Sequence, residues 1–219
     1  MSDIFREVDE EVRRDKAEEF WKKYQNIILA VAAVIVLATA GYRFYMDRQL
    51  KAAQAAGAQF EQALELDHNG KGADAIAALS KSAAEAPSGY KTLARLAQAA
   101  VLSKTDPKGA IAAYDALAQD ASIGALFQDA ARLRAALLRV DADDVANAKT
   151  ALEALAAPAG AFRHTAREML GVIALNAGDM ENAGKWLDMV VSDAEAPSGV
   201  RNNAQALLGI VASGKPTPK

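Results

Sequence analysis

No cysteine occurs in the 219 residues, which excludes disulfides, Cys-based metal sites and thiol nucleophiles and leaves the redox compartment open. Histidine is almost as scarce. His68 stands in a polar turn and His164 near a helix start; both are expected at the surface, and neither an HExxH motif nor a His pair at helical spacing is available for zinc. Asp141-Ala142-Asp143-Asp144 lacks the glycine and the distal glutamate of a calcium loop and reads as a capping cluster. No Gly-rich phosphate loop and no Gly-x-Ser-x-Gly elbow is present, and the carboxylates are expected on solvated helix faces. The chain is therefore read as a non-enzyme, with no catalytic residue, no cofactor and no metal. From residue 43 onward there are 19 Lys/Arg and 20 Asp/Glu, so there is no basic field and nothing to attract nucleic acid.

What the sequence does contain is one long apolar run. Residues 24–42, YQNIILAVAAVIVLATAGY, hold no charge; at helical rise they cover about 28 Å, close to the roughly 30 Å hydrocarbon core of a bilayer. Ile27, Ile28, Leu29, Val31, Val34, Ile35, Val36 and Leu37 favour insertion by about 2.5 to 5 kcal/mol together. Trp21 and Tyr24 stand at one end, and Tyr42, Phe44 and Tyr45 at the other, where amphipathic rings settle in the headgroup layer. Trp21, Tyr24, Tyr42 and Tyr45 are the expected membrane anchors. A buried helix of a soluble fold seldom runs this far without a charge, but it is the competing reading.

Six Lys/Arg precede the span, and Arg43, Arg48 and Lys51 follow it within a comparable distance. This asymmetry places the amino terminus in the cytoplasm and the rest outside. Ala38-Thr39-Ala40 has the form of a signal-peptidase site, so a cleaved export signal ending at Ala40 is an alternative. The 23 residues with eight acids ahead of the run are more elaborate than a leader requires. Residues 2–23 read as a helix with cap-type oxygens from Ser2 and Asp3, and with Ile4, Phe5, Val8, Val12 and Phe20 near one face. Such a helix lies in the interface or docks on a cytoplasmic partner.

Beyond the span alanine takes over. A long helix is expected to continue out of the membrane from Tyr45 to about Asp67, packing through Ala52, Ala56, Phe60, Ala63, Leu64 and Leu66 and stopped by Gly70-Lys71-Gly72. The chain then repeats itself. Residues 72–79, 108–117, 146–155 and 181–190 are short amphipathic segments whose alanines Ala75, Ala110, Ala148 and Ala183 lie 35, 38 and 35 residues apart. Between them residues 92–102, 129–138, 165–175 and 203–212 align on Ala94, Ala131, Ala166 and Ala204, with a small residue five positions later at Ala99, Ala136, Gly171 and Gly209. The turns carry stop signals: Ala86-Pro87-Ser88-Gly89 and its near copy Ala196-Pro197-Ser198-Gly199, Asp106-Pro107, and Asn176-Ala177-Gly178-Asp179. No segment alternates with strand period. A helix pair of about 34 residues used about four times is the pattern of a tetratricopeptide-like α-solenoid. The chain is thus all-α, with a cytoplasmic amphipathic helix over 1–23, a transmembrane helix over 24–42, a repeat domain over 43–213 and a disordered tail over 214–219.

This layout, with the opening MSDIFREVDEEVRRDKAEEFWKKY, a single span and alanine-rich helix pairs, resembles the membrane-anchored ancillary subunits of the bacterial SecYEG translocon. The resemblance implies an inner-membrane protein whose repeat domain faces the periplasm beside the Sec translocon and a periplasmic chaperone, helping exported polypeptides leave the channel. A structural adaptor in envelope assembly or cell division, using the same repeats on folded partners, is the second reading; a soluble exported binding protein released after Ala40 is the third. Arg95, Arg132 and Arg167 recur 37 and 35 residues apart and are the candidate partner-binding ladder, meeting an acidic partner. The alternative is that each pairs with a nearby acid or covers apolar surface with its stem. Tyr90, Tyr114, Phe127, Phe162 and Trp186 are expected in the core.

Overall fold

The computed structural model describes residues 2–214. The tail after Gly214 and the side chains of Ile4, Phe5, Val8 and Val12, placed above on one apolar face, lie outside the described residues. Among the described residues every regular element is helical: α1 (Ser2–His68), α2 (Gly72–Glu85), α3 (Ser88–Leu102), α4 (Pro107–Gln119), α5 (Ala125–Asp141), α6 (Val145–Leu155), α7 (Arg163–Asn176), α8 (Met180–Val191) and α9 (Ser198–Ser213), with one 3-10 turn at Ala121–Ile123. The fold class read from the sequence is the one observed.

The amino-terminal helix, the apolar run and the helix after it are a single element, α1. Nothing in the sequence between them breaks helical hydrogen bonding, since no proline occurs before Pro87. The chain divides into two compact units whose boundary falls after Gln54. Within the first, α1 carries a stretch long and apolar enough to cross a membrane, none of it buried in protein. Val34 is 65% exposed and Leu37 71%. A row of bare aliphatic side chains is unlike the buried core helix of a soluble fold.

In the second unit the repeat register is the packing register. Ala75, Ala110, Ala148 and Ala183 are all wholly buried. Four residues on stand Leu79, Tyr114, Leu152 and Leu187, and seven on Ser82, Leu117, Leu155 and Val190, all buried. The large members contribute about 1.5 to 3 kcal/mol each by leaving water. On the second helices Ala94, Ala131, Ala166 and Ala204 are likewise wholly buried. One turn earlier stand Tyr90, Phe127, Phe162 and Val200, each half-buried. An alanine carries little area; its role is to let two helix axes approach while neighbouring large residues fill the seam.

Four apolar clusters follow from this. One joins the end of α1 to α2 and α3 through Ala63, Leu79 and Ala94. The next joins α3, α4 and α5 around Tyr114 and Leu117, the third α5, α6 and α7 around Leu152 and Leu170, and the last α7, α8 and α9 around Leu187. α4, α6 and α8 are each wedged between two second helices and α2 between the end of α1 and α3, and the opposite face of each is left uncovered. The turns work as read. Asp106 accepts from the Gly109 N–H at 2.9 Å ahead of Pro107, Asp179 accepts from the Asn182 N–H at 3.1 Å, and Gly178 takes φ +76° to close α7.

The small position five residues after the aligned alanine holds three times and fails once. Ala99, Ala136 and Gly171 are buried, and a Cβ on Gly171 would meet Leu187 Cγ at 2.7 Å. Gly209 is exposed and a Cβ there meets nothing within 4 Å. Among the described residues no later helix packs on α9. Its bare residues are Ser198, Gly199, Asn202, Asn203, Gln205, Ala206, Gly209, Ala212 and Ser213, all polar or small, as on the outer face of a helical array.

Two stability measurements check this register by urea unfolding of the full-length protein. Gly171→Leu is expected to cost about 1 to 3 kcal/mol by overfilling the contact with Leu187, whereas Gly209→Ala should gain up to about 1 kcal/mol of helix propensity; equal effects at the two sites would show the register to be wrong. Ser82 sits where the other repeats bury Leu117, Leu155 and Val190, and its Oγ is buried without a hydrogen-bond partner. Ser82→Ala should therefore stabilise by about 1 kcal/mol, and a loss of stability would mean that the hydroxyl is satisfied in solution.

Candidate functional site

The uncovered face of each first helix lies half a turn round from its buried column. On α2 it presents Ala73, Ala77, Ser80 and Ala84; on α4 Lys108, Ala112, Ala116 and Gln119; on α6 Ala146, Thr150 and Ala154; all are exposed. On α8 the same face carries Glu181, Lys185, Asp188 and Met189, with Lys185 Nζ 2.7 Å from Glu181 Oε1. Where the side chains are short, along α2 and at Ala112, Ala116, Ala146, Thr150 and Ala154, the backbone lies close to the surface. A helix or extended chain laid there can make van der Waals contact with little side-chain readout; Lys108, Gln119 and Glu153 interrupt this stretch. The row was legible only through the repeat register, because exposed alanine carries no chemical signal of its own.

The three recurring arginines occupy equivalent places at the carboxyl ends of the first helices. Arg95 Nη1 donates to Asp120 Oδ2 at 2.5 Å, just past α4. Arg132 donates to Asp129 Oδ1 at 2.5 Å and to the Ala118 carbonyl in the last turn of α4 at 3.5 Å. Arg167 Nε donates to the Ala156 carbonyl at 3.1 Å, and its Nη1 reaches the Met189 carbonyl at 3.5 Å, so it joins the ends of α6 and α8. The guanidiniums of Arg132 and Arg167 there meet orphan carbonyls and the negative end of the helix dipole, while that of Arg95 meets a carboxylate. Arg95 and Arg132 keep 32% and 38% of their side-chain surface in solvent, while Arg167 is buried.

Around Arg167 is a charge cluster that the sequence did not reveal. Asp193, in the α8–α9 connection, accepts from His164 Nε2 at 2.8 Å, from Arg163 Nε at 3.3 Å and from the Glu195 N–H at 3.0 Å, with Arg167 Nη1 at 3.5 Å. Arg163 also pairs with Glu195, and Arg201 Nη2 donates to the carbonyls of Asp193, Ala194 and Ala196. The hydrogen bond from His164, then that from the Glu195 backbone, hold the Asp193 carboxyl well below the usual carboxylate range. Arg95 and then Ser122 likewise hold Asp120 at about 2. His164 is thus buried and not a surface residue, because α7 turns it inward onto Asp193. Glu168 is buried too, against the expectation of solvated carboxylates; burial pushes its pKa up, offset by a hydrogen bond from Asn203. One signal existed: Glu168 stands two residues after the aligned alanine, where α3 and α5 carry Leu96 and Leu133.

Of the other sequence candidates, Asp144 is the N-cap residue of α6 but its side chain does not cap the helix; it accepts from Asn147 Nδ2 at 2.9 Å. His68 is exposed, and among the described residues no cluster of His, Asp or Glu is arranged to hold a metal ion. Trp21, Tyr42 and Tyr45 are exposed on α1 and Tyr24 half-exposed. The family model of a tetratricopeptide repeat-like domain matches residues 18–205. No curated protein and no solved structure matches the chain.

The Asp193 cluster has a pH consequence. A carboxyl with a depressed folded-state pKa contributes stability above its ordinary value of about 4 and loses it as pH falls through that value toward the folded one. Urea unfolding of Asp193→Asn against the parent should show a stability loss at about pH 6 that narrows by about pH 3. A gap unchanged with pH would mean that the cluster contributes no proton-linked stability.

Proposed function

The chain belongs to the tetratricopeptide repeat-like family, and on that premise we propose that it is a single-pass, membrane-anchored, non-enzymatic scaffold that accompanies exported polypeptides at the Sec translocon with a periplasmic chaperone. The observation that carries this reading is the run of alanine and other short side chains on the uncovered faces of α2, α4 and α6, broken by Lys108, Gln119 and Glu153, joined in one chain to a stretch able to cross a membrane. A surface with little side-chain readout suits clients of many sequences. Anchoring compensates for weak contacts, because confinement near the exit raises the effective concentration of the surface for an emerging chain. In this reading α1 spans the bacterial inner membrane with its amino terminus in the cytoplasm, as the excess of Lys/Arg before the apolar run supports, and the repeats lie in the periplasm. Arg95 and Arg132, each with about a third of its side chain in solvent, add charge-assisted contacts to client carboxylates; Arg167, buried on its carbonyls, ties α7 to the ends of α6 and α8.

A structural adaptor for envelope assembly or division is the second reading, favoured by the exposed Glu181, Lys185 and Asp188 on the same face of α8, which offer a folded partner charged side chains to read. Photocross-linking of the full-length protein in its native bacterium separates the two, with the photoreactive residue at Met46, next to the apolar run and 44% exposed. The expected adducts are translocon subunits or nascent secreted chains. Adducts limited to division or wall-assembly proteins would overturn the export reading in favour of the adaptor.

A further inference from the structure

The segment that follows the apolar run differs from both of its neighbours. Tyr42, Phe44, Tyr45, Met46 and Leu50 are exposed there, from 44% at Met46 to 64% at Tyr42. They are interleaved with Arg43, Arg48 and Lys51 against a single acid, Asp47. Lys51 is matched by Asp47 at 2.8 Å. The Arg48 guanidinium lies 4.7 Å from the centre of the Phe44 ring, and among the described residues no carboxylate pairs with it or with Arg43. Successive residues of a helix step about 100° round its axis, so Tyr42, Phe44 and Tyr45 point to separate sides. A partner helix would need one stripe, whereas a surrounding lipid layer meets all of them. With residues 24–42 filling the hydrocarbon, Arg43 and Arg48 fall roughly 1.5 and 9 Å beyond its edge, a depth from which their long side chains reach the headgroup phosphates.

We infer that residues 43–51 form a collar that takes anionic phospholipid headgroups, with Arg43 and Arg48 on the lipid phosphates and the rings at the headgroup boundary. The inference rests on the anchoring proposed above. Each engaged cation should favour an anionic over a zwitterionic lipid about fivefold. The test uses the full-length chain carrying Trp21→Phe, Trp186→Phe and the reporter substitution Tyr45→Trp, reconstituted in phosphatidylcholine vesicles with about 30% phosphatidylglycerol, one lipid or the other bearing brominated acyl chains. At equal mole fraction the brominated phosphatidylglycerol should quench the reporter more strongly than the brominated phosphatidylcholine, and Arg43→Gln with Arg48→Gln should abolish the difference. Equal quenching before those changes, or a preference that survives them, would overturn the collar while leaving the anchor in place. No quenching by either lipid would overturn the anchoring and the collar together.

Discussion

Eight alanines, one on each of α2 to α9, are wholly buried at equivalent places, and the rest of the repeat unit depends on the closeness they permit. With a larger side chain at any of them the axes would separate and the leucine or tyrosine one turn away would lose its partners across the seam. Gly171 takes the same constraint to its limit, since Leu187 occupies the space where a Cβ would stand. Close packing on one side of each first helix also frees its other side, so the constraint that builds the core leaves the uncovered row as a by-product.

The charged groups reinforce this arrangement at its edges. Arg132 and Arg167 donate to carbonyls where first helices end, Arg95 pairs with Asp120 just past α4, and Asp193 ties the last connection to α7 through His164 and Arg163. These contacts span 11 to 30 residues along the chain. Those of Arg95 and Arg132 lie beside α4, and those of Asp193 at the α8–α9 connection, next to the polar and small outer face of α9.

Much of this could be read beforehand because its causes are local or periodic. The charge-free run, Asp106-Pro107, Gly178-Asp179 and the alanine register each follow from composition or spacing, and all eight aligned alanines are buried. What escaped has non-local causes. His164 and Glu168 look like surface residues until α7 is placed between the α8–α9 connection and α9. Gly209 matches Gly171 in sequence, yet it lacks a neighbour because the described array stops at α9. The continuity of α1 past the apolar run was legible as well, because nothing between Tyr45 and Asp67 breaks backbone hydrogen bonding.

The most direct test of the central claim, that the uncovered row is where partners are held, compares two photoreactive positions in the full-length protein in living cells. One is Ala116 on the row and the other Gln205 on the outer face of α9, both exposed. The account predicts polypeptide adducts from Ala116 and few from Gln205. Adducts from Gln205 with none from Ala116 would contradict it and move the binding surface to the end of the array.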